Sequence, residues 1–195
     1  KGYFQDEISS IEVPQRKDYP VIVDTDEEPG RGKPGKISKL RSAFENEGTI
    51  TVANASSIND GAAAVVVMSA EKSAELGIQP LCRIIIQASV AQEPLYFTTA
   101  PGKAISKVLD KSGLSINDID LFEINEAFSN VTLAAMQEHN IPHEKINVHG
   151  GAVSLGHPIG ASGTRILITL ISALKQKNKK LGLATLCIGG GEAAA

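Results

Sequence analysis

Tryptophan is absent from the sequence, aromatic residues make up only 4% of it, and no apolar run approaches the roughly 18 residues that a membrane-spanning helix needs. A strong excess of one charge is also absent. The 19 basic and 22 acidic residues give a formal net charge of -3, which argues against bulk binding to nucleic acid or to an anionic membrane. Cysteine occurs only at Cys82 and Cys187, too few for a disulfide framework, which fits a reducing compartment. The 195 residues, 42% of them hydrophobic, still suffice for a substantial core.

Apolar runs and helical patterns alternate along the chain from about residue 63 onwards. Continuous apolar runs predict buried strands at 63–68, 81–90, 119–124 and 181–188, and a short strand is expected at 145–148. Helical patterns cover 70–76, 101–112, 126–139 and 162–175. Because strands alternate with helices, we predict an α/β fold whose sheet is covered by helices on both faces.

Residues 1–48 differ from the rest because they are rich in proline, glycine and charge and do not form a self-contained core pattern. One short alternating run predicts a strand at 19–24. A basic run follows, made of Arg31, Lys33, Lys36, Lys39 and Arg41. It is either a solvated loop with the charged face of a short helix, or a site for an anionic ligand such as a phosphorylated cofactor.

Asn125 stands where the strand pattern at 119–124 runs directly into a helical pattern. Its plain interpretation is a helix N-cap, because its side chain can accept from backbone donors of the first turn. The alternative is an amide that points into a site and holds a substrate oxygen or a water. Glu126 is then either an internal charge satisfied by neighbouring loops or an anion that stabilises the first helical turn.

The stretch 147–165 places five glycines on both sides of His157, just before the long helical pattern. Glycine permits backbone conformations and close approaches that a side chain would block, so a loop shaped around a ligand is expected. Since His157 lies between Gly156 and Pro158, the backbone fixes its position, and imidazole titrates near neutrality. We interpret the remaining histidines, His139, His143 and His149, as surface residues.

Cys187 ends an apolar strand pattern and is followed by three glycines, 189–191. Backbone N–H groups of Gly189 and its neighbours can point at a ligand carbonyl there, which is the arrangement of an oxyanion hole. A thiol at such a place can serve as an acid or a base near neutral pH. Cys82 lies in the middle of a strand pattern and is interpreted as a small buried apolar residue.

Three motifs together, NEAF (125–128), GGAVSLGHPIGASG (150–163) and CIGGG (187–191), resemble the thiolase family in their order and spacing. The segments RGKPGKISKLRSAF (31–44) and TITVANASSINDGAAAVVVMS (49–69) also resemble that family, so the likeness covers essentially the whole chain. It is strongest with the mitochondrial, potassium-activated acetyl-CoA acetyltransferases. The resemblance implies the thiolase fold, with a C-terminal βαβαβ-type half and a mixed sheet.

The resemblance also implies a division of the chain and a set of catalytic roles. Residues 1–56 correspond to the tail of the coenzyme A-binding loop domain, 57–80 to the last strand and helix of the N-terminal domain, and 81–195 to the C-terminal domain. Asn125 matches the asparagine that holds a catalytic water, and His157 the histidine that activates the nucleophile. Cys187 matches the acid/base cysteine, and Gly189 the glycine that completes a second oxyanion hole.

Ligand positions follow from the same likeness. Residues along the coenzyme A groove correspond to Arg31, Lys36, Phe44, Ser56, Ala127 and Phe128. Oxygen donors to a potassium ion correspond to Val52, Ala53, Ala55, Ser56 and Val153. Val52 stands where alanine is expected, but a backbone carbonyl survives that change. No cofactor beyond the coenzyme A thioester substrate and a possible potassium ion is implied.

The implied activity is condensation of two acetyl-CoA to acetoacetyl-CoA and coenzyme A, or the thiolytic reverse, in lipid metabolism. The family also needs a nucleophilic cysteine from an N-terminal half; Cys82 matches no such motif, so the isolated chain is expected to be inactive. Because the chain starts at Lys1, processing, truncation and a longer parent protein remain open. The family suggests a homotetramer and a mitochondrial, or alternatively cytoplasmic, location.

Two alternatives to this activity stay open: a longer-chain 3-ketoacyl-CoA thiolase, and a non-catalytic thiolase-like module that binds coenzyme A. A ketoacyl synthase relative is disfavoured by the CIGGG ending. The end of the chain, 191–195, departs from the family, which continues into a further apolar strand. We therefore expect an unpaired sheet edge there.

Overall fold

The computed structural model describes residues 2–195. Its first part, to about residue 80, carries only short elements. They are the strands β1 (Ile11–Val13) and β2 (Val21–Val23), the helices α1 (Glu28–Arg31) and α2 (Ala70–Glu75), and a 3-10 helix at Pro34–Lys39. The two strands pair with each other antiparallel and are exposed. The predicted strand at 19–24 therefore exists, although it is shorter.

The second part contains the main sheet and its helices. The strands are β3 (Ser89–Ala91), β4 (Leu121–Ile124), β5 (Gly182–Cys187) and β6 (Glu192–Ala194). The helices are α3 (Ala100–Ser112), α4 (Ser129–His139), α5 (Ala152–Leu155) and α6 (Ser162–Gln176), with 3-10 helices at Pro94–Thr99, Ile116–Asp118 and His143–Lys145. The sheet order is β3-β6-β5-β4, in which β4 and β5 are parallel and β6 is antiparallel to both of its neighbours.

Alternation along β4 sends successive side chains to opposite faces of the sheet. Phe122 and Ile124 join the larger core cluster, which also contains residues of α3 and α4. Leu121 packs instead with Leu170 and Ala173 of α6. Helices thus cover both faces, and the prediction of an α/β fold with a mixed sheet is confirmed. Among residues 2–195, none of the helices is both long and apolar enough to cross a bilayer.

Three predicted strands are wrong in whole or in part. Residues 63–68 form no strand, and Val66 is 86% exposed. Of 81–90, only the end enters β3, and Leu81 is 84% exposed. The stretch 145–148 contributes a single bridge from Ile146 to Phe122. An apolar run becomes a strand only where another backbone supplies hydrogen bonds. Within residues 2–195, no segment pairs with 63–68 or 81–85, and 145–148 has only the bridge to Phe122.

The expected unpaired edge at the chain end is also wrong. Glu192–Ala194 forms β6, which lies between β3 and β5 and pairs with both. Gly191 makes the preceding turn possible, since its φ is 101° and a Cβ there would lie 2.3 Å from the Gln92 carbonyl oxygen. The glycines after Cys187 therefore turn the chain back into the sheet.

Glu123 is a buried carboxyl on β4, only 1% exposed, and burial raises its pKa to about 8 although Arg165 opposes the shift. An unfolded glutamate loses its proton near its ordinary pKa, so the unfolded state binds fewer protons than the folded state above that pH. The free energy of unfolding should therefore fall as pH rises from about 5 to 8, by at most about 1.4 kcal/mol per pH unit.

Glu123→Gln should reduce that fall, because an amide does not titrate. Urea unfolding followed across this pH range measures the slope. Glu144→Gln, at an exposed position, is the control and should retain the wild-type slope. Equal slopes for the wild type and Glu123→Gln would show that Glu123 does not titrate in this range.

Candidate active site

Asn125 is not the N-cap that the sequence suggested. Helix α4 begins only at Ser129, because Phe128, at its N-cap position, has an extended backbone and pairs with Ala55. Asn125 is 1% exposed, and its Nδ2 lies 3.5 Å from His157 Nε2. Its Oδ1 is buried and has no hydrogen-bond partner among residues 2–195. The second interpretation, an amide directed into a site, is the one that the structure favours.

The backbone of His157 is held by a segment far away in the sequence. Its N–H donates to the Ser57 carbonyl oxygen at 2.8 Å and to Asn59 Oδ1 at 3.1 Å. Ser57 Oγ also donates to the same Asn59 oxygen at 2.9 Å. The segment 57–59 therefore fixes the backbone position of His157.

The imidazole of His157 has one defined tautomer. Its Nδ1 lies 2.6 Å from Ser162 Oγ, and that hydroxyl donates its hydrogen to the Pro158 carbonyl oxygen at 3.0 Å. Because the hydroxyl hydrogen is used there, Ser162 accepts a hydrogen bond from His157 Nδ1–H. The lone pair of Nε2 then faces the Asn125 amide, so Nε2 is the basic atom of the site.

Burial lowers the pKa of His157, and the positive charge of Arg165 lowers it further. The ring is half-buried, so the uncharged form is favoured at neutral pH. A neutral imidazole with a free Nε2 lone pair can take a proton from a thiol or an alcohol. This agrees with the base function expected of His157.

The loop before His157 depends on close approaches at two glycines. A Cβ at Gly151 would lie 2.2 Å from Glu126 Cδ. Gly156 has a φ of 91°, and a Cβ there would lie 2.2 Å from Asn59 Oδ1, the acceptor of the His157 N–H. A side chain at Gly156 would therefore disturb the backbone that carries the histidine.

Gly156→Ala should lower the free energy of unfolding by about 1–3 kcal/mol, from backbone strain and from the clash with Asn59. Gly160→Ala is the matched control in the same loop, because a Cβ there meets nothing within 4 Å. Urea unfolding of the two variants measures the difference. A loss no larger than that of Gly160→Ala would mean that the loop adapts without cost.

Glu126 is an internal charge bound by neighbouring loops, as one of its two interpretations held. Its Oε1 accepts from Asn147 Nδ2 at 2.7 Å, and its Oε2 accepts from the Val153 N–H at 3.2 Å. Asn147 also donates to the Ile124 carbonyl and accepts from the Ile124 N–H. This network ties the end of β4 to the glycine-rich loop, so Asn125 and His157 belong to one connected unit.

Cys187 lies at the end of β5, beside the strand end that carries Asn125. The two strands are parallel with Ile124 opposite Thr185, and the Asn125 N–H donates to the Thr185 carbonyl at 3.0 Å. Burial raises the pKa of the Cys187 thiol, which is therefore protonated at neutral pH. A protonated thiol at this edge of the sheet can deliver a proton to a carbanion.

Gly189 and Gly190 are the central residues of the turn after Cys187, which is closed by the Gly191 N–H donating to the Ile188 carbonyl at 3.0 Å. Both glycines are exposed, and neither N–H has a backbone acceptor among residues 2–195. These free donors agree with the oxyanion role expected of Gly189.

Four of the groove positions taken from the resemblance lie together. Ser56 donates its N–H and its Oγ to the Ala127 carbonyl oxygen, each at 3.0 Å. Phe44 and Phe128 meet edge to face, with ring centroids 5.9 Å apart, and Phe44 is 73% exposed. These residues offer an apolar, partly open wall beside the strand ends.

The two basic groove positions lie farther along the chain. Arg31 ends α1 and pairs with Glu27 at 2.5 Å and Glu28 at 2.6 Å. Lys36 lies in the 3-10 helix Pro34–Lys39 and is exposed. The acidic partners of Arg31 were missed from the sequence, although their spacing of three and four residues along a helix is a recognisable signal.

The potassium positions lie on both sides of the 126–128 segment. Val52 and Ala53 occupy a turn, Ala55 pairs with Phe128, and the Val153 N–H is held by Glu126. Their candidate donors, backbone carbonyls and the Ser56 hydroxyl, are hard neutral oxygens. Hard cations prefer oxygen donors of this kind, and the potassium site stays a prediction.

Several sequence interpretations of single residues need correction. His139 is half-buried, with Nε2 at 2.9 Å from the Gly102 carbonyl oxygen, and His149 stacks on Tyr3 with ring centroids 4.3 Å apart. Both were expected at the surface; of the three, only His143 is exposed. Cys82, expected to be buried, is exposed because its segment does not enter the sheet.

Two parts of the site were missed from the sequence, Ser162 and Asn59. Ser162 follows His157 by five residues, and its hydrogen bond to His157 Nδ1 depends on how the loop between them enters α6. Asn59 approaches from 98 residues away in sequence. No local pattern indicates either contact.

The model of the thiolase C-terminal domain matches residues 78–195, and that of the thiolase N-terminal domain matches residues 1–71. An acetyl-CoA acetyltransferase of Allochromatium vinosum is 48% identical over 195 residues, which is 100% of this chain and 50% of that protein. The chain thus spans about half the length of the curated relatives that it matches.

Solved structures give the same result. The acetyl-CoA acetyltransferase of Bacillus anthracis superposes with a TM-score of 0.95 at 42% identity, over 99% of this chain and 49% of that one. A thiolase of Ascaris suum, solved in complex with coenzyme A, superposes with a TM-score of 0.88 at 41% identity, over 99% and 49%. On these matches, and with Asn125, His157 and Cys187 gathered at one edge of the sheet, the chain belongs to the thiolase family, among homologues named acetyl-CoA acetyltransferase.

Proposed function

We propose that this chain supplies the histidine, asparagine and acid/base cysteine of an acetyl-CoA acetyltransferase that joins two acetyl-CoA into acetoacetyl-CoA and also runs the thiolytic reverse. One observation carries the proposal: His157 has Nδ1 fixed by Ser162 and Nε2 directed at the Asn125 amide. The protonated thiol of Cys187 lies at the neighbouring strand end. Thioester condensation needs a base, oxyanion donors and a second proton carrier within one pocket.

Thiolysis divides these groups between two steps. His157 Nε2 takes the proton of a nucleophilic thiol, which attacks the 3-keto carbon, while backbone and side-chain donors stabilise the oxyanion. The carbon–carbon bond breaks, and the acetyl-CoA enolate takes the proton of Cys187 Sγ. Coenzyme A then attacks the acyl-thioester and leaves its proton on Cys187, and His157 returns its proton to the nucleophile. Condensation is the same sequence in reverse.

The nucleophilic thiol belongs, in this proposal, to a segment outside the 195 residues. Cys187 is not the nucleophile in this proposal, because its thiol exchanges a proton with the acetyl-CoA enolate. Cys82 lines a groove with Leu174 and Lys175, near the C-terminal end of α6, whereas His157 precedes its N-terminal end. At 1.5 Å per residue, those ends are about 20 Å apart. An N-terminal thiolase half is therefore the proposed partner, and the unpaired runs 63–68 and 81–85 are surfaces that such a half could cover.

Coenzyme A is proposed to lie along the wall formed by Phe44, Ser56, Ala127 and Phe128, with Arg31 and Lys36 toward its phosphates. The Ascaris suum thiolase, which was solved with coenzyme A, supports this placement through its likeness to the chain. A potassium ion held by the oxygens at positions 52, 53, 55, 56 and 153 would order the same wall. A homotetramer and a mitochondrial location remain predictions drawn from the family.

The decisive experiment adds acetoacetyl-CoA and coenzyme A to the chain, with and without the N-terminal half of a close homologue. Acetyl-CoA should form only when both parts are present, because the chain lacks the nucleophile. Turnover by the chain alone would contradict the proposed origin of the nucleophile. Binding of coenzyme A without exchange in the combined protein would contradict the enzymatic role and favour a binding module.

A further inference from the structure

Glu123, Arg165 and Glu7 form a buried cluster beneath the active-site edge. Arg165 Nη1 lies 3.8 Å from Glu123 Oε2, and the side chains are 21% and 2% exposed. Glu7 closes the cluster from the N-terminal segment, where its Oε2 accepts from Thr169 Oγ1 at 2.7 Å. Glu123 Oε1, Glu7 Oε1 and Arg165 Nη1 have no hydrogen-bond partner among residues 2–195. Buried ionisable groups without hydrogen-bond partners call for an explanation, because packed apolar residues of similar size would cost less free energy.

The cluster connects the two elements that carry the catalytic groups. Glu123 lies on β4, two residues before Asn125. Arg165 lies in the first turn of α6, three residues after Ser162, the serine that fixes the His157 tautomer. A displacement of α6 relative to β4 would change the Asn125–His157 distance of 3.5 Å. The pair is therefore placed to hold that distance.

Arg165 also acts on His157 through its charge. A cation in a poorly solvated site disfavours a second cation nearby, and Arg165 contributes to the lowered pKa of His157 after burial. Burial lowers the pKa of Arg165, and the acidic groups of Glu123, Glu7, Glu126 and Asp26 oppose that shift. They retain the guanidinium charge in the interior, and Arg165 in turn opposes protonation of the catalytic ring.

We propose that Arg165, paired with Glu123, is a positioning residue that aligns Ser162 and Asn125 around His157 and keeps the imidazole uncharged, ready to accept a proton. Its catalytic meaning rests on the proposed function of His157 as a base. The effect of Arg165 on the charge state of His157 can be measured in the 195-residue chain without any thioester.

The test is an NMR titration of the histidine rings in the 195-residue chain. The His157 midpoint should move to higher pH in Arg165→Gln, because the opposing charge is lost, and should stay at the wild-type value in Arg165→Lys, which keeps it. Lys175→Gln is the matched control on the same helix, about 15 Å away along the axis, and should change nothing. An unchanged or lower midpoint in Arg165→Gln, or an equal rise in Arg165→Lys, overturns the proposal.

Glu123→Gln separates charge from packing and keeps the test valid if Arg165→Gln does not fold. The pKa of Glu123 is about 8, so this side chain is mostly uncharged at the pH where His157 titrates, and an amide there leaves the charge of Arg165 in place. The His157 midpoint should therefore stay at the wild-type value. If the cluster only supported packing, both substitutions would loosen the site and raise the midpoint toward that of an exposed histidine. A rise in Glu123→Gln therefore contradicts the proposal.

The complete enzyme adds a second readout. Arg165→Gln should reduce kcat by about 100-fold through misalignment of the catalytic groups, and Arg165→Lys should recover part of it. If the titration behaves as expected but the combined protein has no thiolase activity, the proposed function fails and the role of Arg165 toward His157 stands. If the activity is present but the His157 midpoint is the same in Arg165→Gln as in the wild type, only the proposed role of Arg165 fails.

Discussion

Substitution of His157 by asparagine is expected to slow acylation of the nucleophilic cysteine by about 100- to 10,000-fold in the enzyme that combines this chain with its N-terminal half. Nε2 is the atom of the site with a free lone pair, because Ser162 accepts the Nδ1 hydrogen. Without it, the nucleophile must lose its proton to water. Single-turnover acetylation with labelled acetyl-CoA measures this step directly.

His143→Asn is the matched control, since His143 is the exposed histidine outside the site. It should leave acetylation at the wild-type rate. The residual rate of His157→Asn should rise with pH, because a thiolate formed in solution needs no base. A variant that acetylates as fast as the wild type at neutral pH would remove His157 from the base role.

The neighbourhood of His157 could be located from the sequence because its signals are local. Gly156 and Pro158 flank the histidine, and the glycine at 156 adopts the left-handed φ of 91° that a crowded loop requires. The partners that give the ring its chemistry are not local. Asn59 arrives from 98 residues away and Asn125 from 32 residues away, and these contacts depend on the sheet.

Asn125 shows how tertiary contacts override a local pattern. An asparagine before a helical pattern is an ordinary N-cap, and nothing in its neighbours contradicts that. The pairing of Ala55 with Phe128 and of Ser56 with Ala127 keeps residues 126–128 out of the helix, which therefore starts three residues later than predicted. A contact across 71 residues decided the role of this side chain.

The strands predicted at 63–68 and 81–85 do not form, because these runs lack the tertiary contacts that a strand needs. Their composition indicates burial, but a strand needs a neighbouring backbone to satisfy its N–H and C=O groups. The short terminal run of alanines had weak apolar content and nevertheless became β6, because β3 and β5 flank it on both sides. Partner availability, which composition does not encode, decided all three cases.

Cys187→Ala should divide the two halves of the reaction in the combined enzyme. Condensation is expected to fall by at least about 1,000-fold, because the proton of the second acetyl-CoA has no acceptor. Acetylation of the nucleophile uses His157 as its base, and Cys187 only protonates the departing coenzyme A thiolate, which can also leave without that proton. Its rate should therefore stay within about 10-fold of the wild type. Steady-state formation of acetoacetyl-CoA and single-turnover acetylation measure the two steps separately.

The raised pKa of Cys187 adds a pH signature to this prediction. As pH rises above neutrality, more of the Cys187 thiol becomes thiolate, so condensation by the wild type should accelerate. The residual rate of Cys187→Ala should lack this rise, because the variant has no thiol at that position. Cys82→Ser, a nearly isosteric change at the other cysteine of the sequence, removes a thiol without changing the size of that side chain. It is the control and should match the wild type in both steps. Equal losses of acetylation and condensation in Cys187→Ala would mean that this thiol supports the site as a whole. A loss confined to condensation would show that Cys187 takes the proton from the second acetyl-CoA, while His157 takes the proton from the nucleophilic thiol.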